Sequence, residues 1–211
     1  MWIKVCGIRK PQDAKAAAKA GAQAVGLVFA PSPRQLSVSE ARELSSSIPG
    51  QLLRVGVFVD KNPEEVEEIA KKVGLDLIQL HGAESPSYCR YFSRLPWGLI
   101  KAWRMERGNF EEVAAYRGLV QALLLDSSAG SGKSFPWQQV REVPWDGKLI
   151  LAGGLDQENV ARAIAEVRPW GVDATSSLES APGQKELGKI SAFVEAAKRA
   201  GRELDVSKMA R

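Results

Sequence analysis

The sequence predicts an α/β fold, a single-domain (β/α)8 (TIM) barrel spanning residues 1–211, with 203–211 as a frayed tail. Three observations carry that reading. Short apolar, β-rich runs alternate with amphipathic helical stretches from one end to the other, and eight such pairs can be placed. Strands that alternate with helices pair in parallel, because each helix carries the chain back to start the next strand. A chain of 211 residues suits one core and leaves little length for insertions, so a compact barrel fits better than an eight-stranded doubly wound sheet.

In order, the strands are expected at Trp2–Cys6, Ala24–Phe29, Leu53–Val59, Asp76–Leu80, Gly98–Ala102, Ala122–Asp126, Lys148–Ala152 and Gly171–Thr175. Helical patterns follow at 10–20, 38–47, 62–73, 85–94, 108–116, 137–142, 156–167 and 186–200, the sixth being the weakest. Asn62 before Pro63 reads as an N-cap followed by a proline in the first turn. Asp156 is expected to open the helix in which Ala161, Ile164, Ala165 and Val167 fall at helical spacing. Gly21, Gly74 and Gly201 stand where helices need a left-handed residue to stop.

Composition excludes several classes. The formal charge of +4 comes from Lys and Arg mixed with Glu along helix faces, as in Lys61, Glu64, Glu65, Glu67, Glu68, Lys71 and Lys72, and not from a nucleic-acid stripe. No apolar run approaches the roughly 20 residues needed to cross a bilayer, so no membrane partner is expected. Two cysteines, Cys6 and Cys89, and one histidine, His81, make neither a disulfide framework nor a metal site. With no secretory signal, they point to a reducing cytoplasm. Cys89 lies in a helical stretch and reads as packing.

In a barrel of this kind, chemistry sits where strands end. Those positions hold Cys6-Gly7, Phe29 through Arg34, Val59-Asp60, His81-Gly82, Lys101-Ala102, Asp126, Gly153-Gly154 and Thr175-Ser176-Ser177. They gather a thiol, a carboxylic acid and an arginine among small residues in glycine-rich loops. Lys4 and Cys6 share one side of a strand, which places an ammonium near the thiol and is expected to favour thiolate. Asp126 ends the apolar run Leu123-Leu124-Leu125, and an apolar setting favours the protonated carboxyl. Gly153-Gly154 and Ser176-Ser177 fit a phosphate site at the seventh and eighth strand ends, with Gly130 contributing from the loop after the sixth. Gly130-Ser131-Gly132-Lys133-Ser134 imitates a P-loop but lacks its first glycine, and Phe135-Pro136 interrupts the helix that should follow.

These segments resemble the phosphoribosylanthranilate isomerase family. The likeness runs through Lys4-Val5-Cys6-Gly7-Ile8, Phe29-Ala30-Pro31-Ser32-Pro33-Arg34, Gly56-Val57-Phe58-Val59, Gln79-Leu80-His81-Gly82, Leu125-Asp126 with Gly130-Ser131-Gly132, Leu151-Ala152-Gly153-Gly154-Leu155, and Asp173 through Glu179. Ala129 and Ser177 depart from it, standing where that family usually has glycine. The resemblance implies an Amadori rearrangement of a phosphorylated aminoaldose in tryptophan biosynthesis, with no cofactor. By the same pattern Cys6 is the general base, Asp126 the general acid and Arg34 the group that holds the anthranilate carboxylate. His81 is assigned a structural or supporting role. The expected partner is a small phosphorylated substrate, and a homodimer is left open. Two alternatives stand beside it: a Schiff-base lyase using Lys101 on a sugar phosphate, and a non-catalytic phosphate-binding barrel.

Overall fold

The computed structural model describes residues 1–126 and 137–209, with side chains as far as Leu204. Eight strands form a closed parallel barrel in sequence order: β1 Trp2–Val5, β2 Ala24–Val28, β3 Leu53–Phe58, β4 Leu77–Leu80, β5 Gly98–Arg104, β6 Ala122–Asp126, β7 Lys148–Ala152 and β8 Gly171–Ala174. Pairing of β1 with β8 closes the ring, so the doubly wound alternative is excluded. Outside it lie α1 Pro11–Ala20, α2 Val38–Ser47, α3 Pro63–Val73, α4 Pro86–Phe92, α5 Val160–Val167 and α6 Leu187–Met209. A short antiparallel hairpin, β9 Glu179–Ala181 with β10 Gln184–Lys185, follows β8.

Local sequence explains most of these boundaries. Asn62 accepts a hydrogen bond from the Glu64 N–H, and Pro63 needs no donor partner in the first turn of α3. Gly21 and Gly74 take the left-handed conformation that ends α1 and α3. Gly201 does not: it lies inside α6, where a Cβ would stand 2.6 Å from that of Met1, so the glycine serves close packing. The helix therefore runs on to Met209 instead of ending in a frayed tail from 203. Asp156 caps a turn, accepting from the N–H groups of Glu158 and Asn159, and α5 begins only at Val160. The helices expected at 108–116 and 137–142 are 3₁₀ segments, Phe110–Tyr116 and Trp137–Glu142, a form that short connectors favour.

Alternation along the strands sorts two cores. On β1, Ile3 and Val5 pack outward under the helices, while Trp2 belongs to the barrel interior with Ala24, Val55, Ile100, Leu124 and Ile150. Lys4 and Asp173 are register partners on β1 and β8, and the Lys4 ammonium lies 2.6 Å from the Asp173 carboxylate. Both side chains are almost wholly shielded from solvent. Above that pair, Cys6 joins Val28, Ala30 and Val57 in a small upper cluster.

Breaking a buried ion pair leaves one charge desolvated and alone, which typically costs about 3–5 kcal/mol, whereas replacing both partners by apolar groups is often neutral. Lys4→Met is therefore expected to destabilise the barrel by about 3–5 kcal/mol in urea unfolding, and Lys4→Met with Asp173→Leu to recover most of that loss. Equal stability of the single variant and the parent would remove the pair from the account.

Candidate active site

A cavity of about 260 Å³ opens at the carboxyl ends of the strands. Cys6, Arg34, Asp126, Gly153, Gly154 and Ser176 all line it, so six of the eight site residues expected from sequence are brought together. Val28, Val57, Val59 and Ala152 supply an apolar wall, and Asp173 and Thr175 also face it. Of the other two, Ser177 is turned away: its hydroxyl bonds the Leu155 carbonyl, and it lines a separate shallow depression with Asp156 and Lys189. Gly130 lies outside the described residues, as do Ala129 and the P-loop imitation.

Cys6 stands one residue beyond β1, its N–H bonded to the Ala174 carbonyl at 2.9 Å. Room for its sulfur comes from Gly26 on β2, where an added Cβ would lie 2.4 Å from Cys6 Sγ. Gly7 follows in left-handed backbone, and an added Cβ there would lie 2.7 Å from the Arg34 Cδ, so the arginine stem passes over this glycine. Burial pushes the Cys6 thiol above its ordinary pKa, and the nearby Lys4 ammonium offsets only part of that. This corrects the expectation of a lowered thiol: desolvation wins because the sulfur is buried. Lys4 is also displaced: burial pulls it down, and the Asp173 carboxylate and Cys6 more than compensate, leaving it raised.

Asp126 sits at the end of β6 beside a polar neighbour, not in the wholly apolar setting its sequence context implied. Its Oδ2 is 3.1 Å from His81 Nε2, and His81 Nδ1 is 2.8 Å from the Gln79 amide nitrogen. With that amide N–H donating to Nδ1, the imidazole proton sits on Nε2 and points at the carboxylate. Gln79 and His81 lie on one face at i and i+2, a spacing visible in the sequence but uninformative until a partner is known.

Arg34 reaches the cavity with its guanidinium forked on Glu179: Nε and Nη2 each donate at 2.7 Å. Its remaining three N–H groups are not engaged by that carboxylate. Arg104, at the last position of β5, also lines the cavity and was not anticipated. Lys101, by contrast, does not close β5, since the strand continues to Arg104 and Lys101 falls on its outward face. Its ammonium is fully buried, 2.8 Å from both the Glu84 carboxylate and the Gly82 carbonyl. An amine held in this way is closed to a sugar-phosphate carbonyl, which removes the support for the lyase alternative. Cys89 is buried on α4 with its pKa pushed to about 11 by desolvation, as packing requires. Among the described residues no group of His, Cys, Asp and Glu could hold a metal, and no helix is long and apolar enough to cross a membrane.

The model of the N-(5'-phosphoribosyl)anthranilate isomerase family matches residues 3–196. A relative from Rubrobacter xylanophilus named as that isomerase is 45% identical over 203 residues, covering 93% of this chain and 98% of the relative. One from Desulforamulus reducens is 46% identical, covering 91% and 92%. The crystal structure of the Thermotoga maritima enzyme superposes with a TM-score of 0.85 at 39% identity, covering 94% of this chain and 99% of that one. A further isomerase structure, TM-score 0.84 and 37% identity, covers the same shares and is in complex with reduced 1-(o-carboxyphenylamino)-1-deoxyribulose 5-phosphate. The chain belongs to the N-(5'-phosphoribosyl)anthranilate isomerase family.

Proposed function

We propose that this isomerase converts N-(5-phosphoribosyl)anthranilate to 1-(2-carboxyphenylamino)-1-deoxyribulose 5-phosphate, with Cys6 as general base and Asp126 as general acid. One observation carries the assignment: a thiol and a carboxyl group from non-adjacent strands face one cavity at the same end of the barrel. Asp126, with Oδ2 facing His81, gives the proton on Oδ1 to the ring oxygen as the bond from that oxygen to C1′ breaks, and the anilino nitrogen, keeping its hydrogen, forms an iminium. Cys6, as thiolate, then takes the C2′ proton, leaving an enolamine that tautomerises to the aminoketose. Proton transfers alone suffice, so no cofactor is needed. His81 Nε2 lies 3.1 Å from Asp126 Oδ2 and orients the carboxyl group toward the cavity.

The rest of the cavity suits the two anionic ends of that substrate. Gly153 and Gly154 both have positive φ, which lets backbone N–H groups turn toward a phosphate, with Ser176 beside them on the next strand end. Ser177 is left with only its backbone to offer, because its hydroxyl is taken by Leu155. Arg34 is assigned the anthranilate carboxylate, which a guanidinium edge binds well. The free thiols of Cys6 and Cys89 fit a reducing cytoplasm. The Thermotoga maritima relative is described as dimeric, and a homodimer is the assembly we assign here.

General acid–base groups contribute about 10²–10⁴-fold to rate. Cys6→Ala and Asp126→Asn are each expected to lower kcat by about that factor with the far-UV circular dichroism unchanged. Near-normal turnover in folded Cys6→Ala would move the base elsewhere, with His81 the first residue to test. Gly26→Ala is expected to cut kcat by about 10²-fold, the usual cost of displacing a reacting group by about 1 Å. An unaffected Gly26→Ala protein would show that the thiol position is not critical.

A further inference from the structure

We propose that Glu179 is a positioning residue, which aims Arg34 at the carboxylate of the substrate from a rigid seat on the β9–β10 hairpin. This role rests on the assignment of Arg34 to that carboxylate and adds what holds the arginine in place. Arginine carries several rotatable bonds, and an unrestrained one would have to be ordered again at each binding event. Here its Nε and Nη2 edge is clamped by both oxygens of Glu179, whose side chain is 4% exposed. The Arg34 stem also passes close over Gly7, where an added Cβ would meet its Cδ at 2.7 Å.

The clamp is itself anchored. Lys185, across the hairpin, lies 2.9 Å from Glu179 Oε1 and donates to the Thr175 carbonyl at 2.7 Å. Lys189 donates to the Glu179 backbone carbonyl at 3.0 Å. At the hairpin tip, Gly183 abuts the loop that carries Arg34, since an added Cβ would lie 2.6 Å from the Pro33 carbonyl oxygen. Arg9 donates to that same oxygen at 3.3 Å. Burial pushes the Glu179 carboxyl up, but its bonds to Arg34 and Lys185 outweigh this and hold it ionised, below its ordinary pKa. The three side chains together carry one net positive charge, which matches a single carboxylate. Without the Glu179 charge, Lys185 and Arg34 repel each other, and Arg34 is the partner with solvent to move into.

Steady-state kinetics on Glu179→Gln, Arg34→Ala and the double variant test the proposal. Glu179→Gln is expected to raise KM roughly three- to tenfold, the scale of re-ordering one long side chain, with kcat near the parent value. Uniform loss of ground-state and transition-state binding produces that split, and a general loss of structure does not. Inhibition by 2-aminobenzoate is expected to weaken with it, while 2-aminobenzamide, which has no charge to present, is unaffected. The double variant should be no worse than Arg34→Ala alone. A Glu179→Gln protein with unchanged or lower KM, beside an Arg34→Ala protein with raised KM, would overturn the positioning role. An unchanged KM in Arg34→Ala would instead overturn the assignment of Arg34 and the proposal with it.

Discussion

The buried pair between Lys4 and Asp173 is the constraint around which the upper barrel is arranged. Two charges face each other at 2.6 Å across the seam where the barrel closes, with Asp173 at the cavity floor. Desolvating them is expensive, and their mutual attraction offsets this only because the geometry is short and direct. What the pair supplies is a fixed positive charge beneath Cys6 that is itself held by a carboxylate. Asp173 is raised by burial, which Lys4 offsets only in part, so the interior of the barrel keeps opposing electrostatic demands in one small volume.

From that floor upward, each proposed functional group is held by something other than itself. Gly26 makes space for the thiol, His81 and Gln79 orient the Asp126 carboxylate, and Glu179 fixes Arg34. The loop after β4 that follows His81 is tied in turn by the buried Lys101–Glu84 pair: Lys101 bonds the Gly82 carbonyl and Glu84 accepts from the Gly82 N–H. A barrel places side chains from eight strands around one mouth, and the loops need separate fastening because they lie outside the hydrogen-bonded ladder. The two buried lysines of β1 and β5 therefore serve opposite faces of their strands, Lys4 inward and Lys101 outward.

The sequence makes the strand order legible because apolar runs of parallel strands are continuous and separated by amphipathic stretches. Part of the candidate site can be read the same way: Cys6, Arg34, Asp126, Gly153, Gly154 and Ser176 close strands or open loops and share the cavity, while Ser177 turns away from it. What could not be read depends on contacts distant in sequence. Arg34 finds Glu179 across 145 positions, and His81 finds Asp126 across 45. The raised thiol of Cys6 depends on how deeply it is buried, which alternation does not reveal, so the ammonium beside it gave the wrong sign. For a simpler reason, Lys101 does not close β5. Two further residues of β5, Trp103 and Arg104, extend the strand, and Arg104 takes the position at the mouth.

Cys6 is the proposed base, and burial set against the pull of Lys4 governs its ionisation. The pH dependence of alkylation by iodoacetamide, measured in a Cys89→Ala background so that one thiol reports, tests it directly, because the thiolate is the reacting form. Burial keeps the proton on the sulfur at pH values where a free thiol has begun to lose it. The account predicts a reactivity midpoint above the ordinary thiol value of about 8.5, shielded from further alkylation by substrate analogue in the cavity. A midpoint at or below that value would contradict it.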